Sequence, residues 1–144
     1  MSGRLLLSES FLLDTHVWFR LQTTSGPFRP GVLETLTRAA ELDALFVSPI
    51  SVWELAMLAR DGYIEFPGGV GRWVDDALLT PGLRLLPYAP AAAIESVFLP
   101  EPMHKDPSDR ILVASAKVEG MTLVTSDRAM LKFARSSGLR CLRA

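Results

Sequence analysis

Short apolar runs alternate along this chain with longer segments of helical periodicity, and each run leads into a helix through a polar junction. Ser10–Leu13 passes straight into Asp14 and a helix around Val17–Leu21. Leu45–Val47 precedes a helix predicted over Ser51–Arg60, and Leu83–Pro87 precedes one over Pro90–Phe98. Thr122–Thr125 leads to a helix over Arg128–Arg135, and Leu139–Leu142 closes the chain as a last strand. Further helices are predicted over Val32–Leu42, over Val70–Leu79 after the break at Gly68 and Gly69, and from Pro107 to near Gly120. Strands separated by helices rejoin their sheet in parallel, with helices covering both faces. Right-handed crossovers then turn the C-terminal ends of all the strands to one edge, where open α/β sheets bind ligands.

With 144 residues the chain fits one domain, expected over residues 10–144 behind an N-terminal extension at residues 1–9. A hydrophobic fraction of 49% supplies a substantial core. The net charge of −1 excludes a strongly basic nucleic-acid binder. Residues 105–144 nevertheless hold eight basic side chains against four acidic ones, a local surplus that fits either a solvated helical face or a phosphate-steering rim. Cys141 is the sole cysteine, which excludes an intramolecular disulfide and a thiolate zinc site and points to a reducing cytoplasm. The stretch Leu5–Leu13, interrupted by Ser8, Glu9 and Ser10, is too short to span a bilayer, so no membrane partner is expected.

Four acids fall where the chain enters a helix at the ligand-binding edge. Asp14 ends the first strand, Glu54 lies one turn into the helix after the second, Asp109 sits in the first turn of a helix, and Asp127 follows Thr122–Thr125. Each has an ordinary explanation. Asp14 and Asp127 suit N-caps, Ser51 and Glu54 have capping-box spacing, and Asp106 before Pro107 reads as a cap with Asp109 in the turn behind it. Together they are harder to explain, because carboxylates converging on one edge repel unless a cation neutralises them. Oxygen ligands without thiolates suit Mg²⁺ or Mn²⁺, which can activate water and stabilise charge on a phosphate.

The blocks around these acids read Leu12-Leu13-Asp14-Thr15-His16-Val17-Trp18, Ser51-Val52-Trp53-Glu54-Leu55-Ala56, Asp106-Pro107-Ser108-Asp109-Arg110-Ile111-Leu112-Val113-Ala114 and Leu123-Val124-Thr125-Ser126-Asp127. In order and separation they resemble the PIN-domain family, and within it the VapC-type toxins of bacterial toxin–antitoxin pairs, over about residues 11–142. The resemblance implies a three-layer α/β/α sandwich with a central, mainly parallel sheet. It also implies cleavage of RNA with Mg²⁺ or Mn²⁺ by Asp14, Glu54, Asp109 and Asp127, with Asp106 as an additional acid. Thr125 matches a hydroxyl that supports the site. A cognate antitoxin and a homodimer are the partners it implies. One departure is the basic residue that many relatives carry before the last acid; here Arg128 follows it.

Other residues invite functions. His16, one turn into the first helix, is expected to be packed or hydrogen-bonded rather than a general base, and His104 to be solvated in its loop. Trp18, Trp53 and Trp73 read as core or dimer-interface residues. Asp75 and Asp76 belong to a polar helical face, and Arg110 should point elsewhere on its helix than Asp109, to pair with Asp106 or to reach a phosphate. A phosphoacceptor receiver domain also binds Mg²⁺ in an acidic pocket, but it needs paired acids after the first strand and a late lysine, which this chain lacks. A PIN fold that binds RNA or protein without turnover is the remaining alternative.

Overall fold

The computed structural model describes residues 9–100, 103 and 106–144. Among them five strands alternate with seven helices: β1 (Phe11–Leu13), α1 (Thr15–Thr23), α2 (Val32–Glu41), β2 (Leu45–Val47), α3 (Pro49–Arg60) and α4 (Val70–Ala77). There follow β3 (Leu83–Leu85), α5 (Pro90–Val97), α6 (Pro107–Glu119), β4 (Thr122–Thr125), α7 (Arg128–Ser137) and β5 (Cys141–Arg143). The strands form one sheet in the order β3-β2-β1-β4-β5, and every pairing is parallel. The expected extension lies outside the described residues except for Glu9, whose carboxylate accepts from the Thr122 hydroxyl at 3.3 Å.

Alternation within the strands divides the core into two layers. Phe11, Leu13, Leu45, Val47 and Val124 face one side, against Trp18 of α1, Leu36 of α2, Leu55 of α3 and Val74 of α4. Leu12 and Leu123 face the other, against Leu112 and Val113 of α6 and Met130 and Phe133 of α7. Because both faces are covered, the central strands carry apolar side chains at consecutive positions, as a doubly buried parallel strand must. The α/β/α sandwich is therefore as expected. Trp18 is fully buried and meets Trp73 edge to face at 5.4 Å between ring centroids, whereas Trp53 is half exposed and belongs to neither core.

One predicted boundary is wrong in an informative way. Helix α3 starts at Pro49, not Ser51, because Ser48 supplies the cap: its hydroxyl accepts from the Ile50 amide at 3.1 Å, with proline at the first helical position. Ser51 is thus inside the helix and buried, and the Ser51–Glu54 capping box does not form. Helix α6 begins at the Asp106 cap and ends at Gly120 in the left-handed conformation, φ 68°. Close packing explains Gly82, at φ 82°: a Cβ there would overlap the carbonyl of Ala40 where β3 enters beside the end of α2.

Candidate active site

The chain visits β1, β2 and β3 on one side of the sheet and then returns to place β4 and β5 on the other. The reversal leaves a crevice between the ends of β1 and β4, the usual ligand position in an open α/β sheet. Asp14 leaves β1 and Asp127 follows β4, so both flank it. Glu54 enters from α3, and Asp106 and Asp109 from the start of α6. All five acids line one cleft of about 440 Å³, together with His16 and Arg20. The structure therefore brings together every acid singled out in the sequence.

Hydroxyl groups hold these acids in place. Asp14 is 5% exposed; its Oδ2 accepts from the Thr125 hydroxyl at 2.7 Å and its Oδ1 from the Thr15 amide at 2.7 Å. Thr125 is fully buried beneath the cleft, and its Oγ1 also accepts from the Asp127 amide at 3.0 Å. Its hydroxyl thus joins the first and last acids. Glu54 has a matching support: the Thr15 hydroxyl donates to Oε1 at 2.6 Å and lies 2.8 Å from the Ser51 hydroxyl. Thr15 and Ser51 were not expected at the site. Their signal in the sequence was a hydroxyl beside Asp14 and another three residues before Glu54, which reads equally as a cap.

The capping roles also prove real. Asp127 Oδ1 accepts from the Met130 amide at 3.0 Å. Asp106 Oδ1 accepts from the Ser108 and Asp109 amides at 3.0 and 3.2 Å. Such caps occupy one oxygen and fix the carboxylate plane, so capping and a site role do not compete. Arg110 points elsewhere than Asp109, as expected. It donates to the carbonyls of Ser96, Val97, Leu99 and Met103, which closes the end of α5. His104 and Lys105 lie outside the described residues. His16 corrects its expectation: it is exposed and lines the cleft instead of packing into the core.

Burial, and then crowding, raises the proton affinity of Asp14, Glu54 and Asp109. Burial pushes Asp14 above the usual carboxylate range, opposed mainly by the hydrogen bond from Thr125, while Asp127 raises it further. Burial also raises Glu54, against the hydrogen bond from Thr15, and the Asp14 charge adds to the rise. Asp109 is pushed up to about 8, first by burial and then by the charges of Asp14, Asp106, Asp127 and Glu54. A divalent cation would relieve this repulsion. Among the described residues no three of the His, Cys, Asp or Glu side chains are set to ligate one ion directly. Oxygen donors around a roomy cleft suit instead a hydrated ion of the Mg²⁺ type, held through one or two carboxylates and its own waters.

A parallel sheet with a hydroxyl-buttressed carboxylate cluster at its switch point defines an α/β/α protein that gathers negative charge at its ligand-binding edge. The family model described as PIN domain matches residues 11–136. The chain is also 32% identical over 119 residues to Ribonuclease VapC22 of Mycobacterium tuberculosis, covering 83% of this chain and 88% of that one. The chain belongs to the PIN-domain family. Its fold is similar to that of VapBC from Salmonella typhimurium bound to DNA, with a TM-score of 0.68 at 19% identity over 93% of this chain and 97% of that one. It is similar too to that of FitAcB from Neisseria gonorrhoeae, with a TM-score of 0.63 at 20% identity over 92% and 96%.

Proposed function

We propose that this chain is a metal-dependent endoribonuclease, the toxin of a type II toxin–antitoxin pair, which hydrolyses RNA phosphodiester bonds at Asp14, Glu54, Asp109 and Asp127. The observation that carries the proposal is the convergence of these four acids on one cleft, where burial and mutual repulsion raise the proton affinity of Asp14, Glu54 and Asp109 and a cation would offset the repulsion. The similarity to a ribonuclease of the VapC type over most of both chains supports the reaction, and the VapBC relatives support a cognate antitoxin. A homodimer and a reducing cytoplasm complete the reading. The half-buried Cys141, its thiol pushed up to about 11 by burial, is inert enough for that compartment.

In this mechanism one or two of Asp14, Glu54, Asp109 and Asp127 would hold Mg²⁺ or Mn²⁺ directly and the others through its waters, with Asp106 at the rim. The bound ion would supply positive charge for the phosphate and activate the attacking water. Thr125 favours the ionised form of Asp14 and fixes its plane by donating to Oδ2, and Thr15 does the same for Glu54. The caps on Asp106 and Asp127 fix where those carboxylates stand relative to the strand ends. Burial of Asp14 keeps bulk water from competing for its oxygens.

Incubation with RNA tests the proposal. Cleavage is expected with Mn²⁺ or Mg²⁺ and should vanish with excess chelator and in Asp14→Asn and Asp109→Asn. Cleavage that persists in chelator overturns the metal site. Binding of RNA or antitoxin with no turnover under any metal condition would instead leave a binding module.

A further inference from the structure

Arg20 is a cation on the wall of an acidic cleft, yet it neutralises none of the acids. It lies on α1 one turn after His16, so both line the cleft from the same helical face. Among the described residues no carboxylate stands within ion-pair distance of its guanidinium. Instead Nη2 donates to the Ser126 hydroxyl at 3.1 Å, and Cζ sits 4.9 Å from the centroid of the Phe28 ring. Its Nε is buried and has no hydrogen-bond partner. A buried donor on a guanidinium is costly to leave unmade, and an aromatic face plus one hydroxyl does not satisfy a fork of five donors.

Arg20 also borders a second cavity of about 410 Å³, lined by Phe28, Arg29, Glu34 and the loop through Gly26, Pro27 and Pro30. It is the one residue shared by the two cavities. A guanidinium pre-set by a ring and a hydroxyl, with cavities on both sides, has the geometry to grip one phosphate of a strand that passes from one to the other.

We infer that Arg20 anchors the RNA phosphate next to the bond that is cut, and that the flanking nucleotide runs into the cavity beside Phe28. This rests on the ribonuclease reading. Phe28 both orients the guanidinium and offers a face for a base. Arg29 supplies a second charge to the same nucleotide.

The test measures binding of a fluorescent single-stranded RNA at several salt concentrations in chelator, and its cleavage with Mn²⁺, for wild type, Arg20→Gln, Arg20→Lys and Phe28→Ala. Arg20→Gln is expected to raise KM about tenfold or more, since a charge-assisted contact is lost, with a smaller effect on kcat. It should also lower the salt slope by about 0.7 for the phosphate contact removed. Arg20→Lys should restore the slope but only part of the affinity, because it keeps the charge and loses the fork. Phe28→Ala should weaken binding without changing the slope. Melting temperatures separate these effects from loss of fold. Unchanged KM and slope in Arg20→Gln, with the wild type cutting RNA, overturn the anchor and leave the nuclease standing. A wild type that binds but never cuts, with the slope still falling in Arg20→Gln, keeps the anchor and removes the turnover. A wild type that neither binds nor cuts overturns both.

Discussion

Thr125 hydrogen-bonds to Asp14 across 111 positions of sequence, and it is the residue on which the geometry of the cleft most depends. Replacing it with valine keeps the volume but removes the donor to Asp14 and the acceptor for the Asp127 amide. Loss of one partner from a buried pair costs about 1–3 kcal/mol. Thr125→Val is therefore expected to lower the melting temperature and to cut RNA cleavage at least tenfold, measured at saturating Mn²⁺. The opposite sign is expected for Asp14→Asn in chelator, because neutralising a buried acid among other acids relieves repulsion. Its metal-free melting temperature should stay level or rise. Added Mn²⁺ should stabilise the wild type by about 2–3 kcal/mol at a hundredfold excess over Kd and the variant much less. Equal metal shifts in both proteins would take Asp14 out of the site. Asp109 gives the pH dependence. Its folded pKa of about 8 stands above the ordinary aspartate value of 3.8, so the folded state holds the proton more tightly. The stabilisation it gives is complete below about pH 4 and is lost as pH rises through 8. Metal-free protein should thus melt at falling temperature over that window, and Asp109→Asn or added Mn²⁺ should flatten the profile.

Among the elements, β2 and β4 lie where the apolar runs place them, because a doubly covered strand shows an unbroken apolar signal. The start of α3 was not legible. Ser48-Pro49 and Ser51-Val52-Trp53-Glu54 both carry starting signals, and only the packing of Ser51 against Thr15 decides between them. The same ambiguity concealed the hydroxyl that supports Glu54. A pair of variants checks the correction: Ser48→Ala should cost about 1 kcal/mol of stability as a lost cap. Ser51→Ala should instead act on RNA cleavage, through Thr15 and Glu54. His16 escaped for another reason. Helical spacing places a residue on a face, but whether that face meets core or cleft depends on where β4 and α6 come to lie, and local sequence does not carry this.

Over the whole molecule, the sequence order of the acids gave no distances, yet the switch between β1 and β4 brings them together. The basic surplus of residues 105–144 is not one rim. Arg128 begins α7 beside Asp127, and Arg143 pairs in register with Thr125, both at the end of the sheet that carries the cleft. Arg140 and Lys117 line a separate cavity with Gly120 and Gly138, and Gly120 precedes β4, so this cavity belongs to the other edge. Arg128→Ala is therefore expected to reduce the salt dependence of RNA binding by about 0.7 in slope, and Arg140→Ala to leave it alone. Equal slopes for the two variants would place the RNA elsewhere.

The bond between Asp14 and Thr125 also has a consequence for synthesis. β1 is the centre of the sheet, but its neighbour β4 brings Thr125 only 111 residues after Asp14. At ~5–20 residues per second, the ribosome needs roughly 6–22 s to pass from one partner to the other. Throughout that interval the acids already made have neither the buried hydroxyl nor the crevice that would gather them. A cleft wired in this way does not exist in the growing chain until β4 has been made.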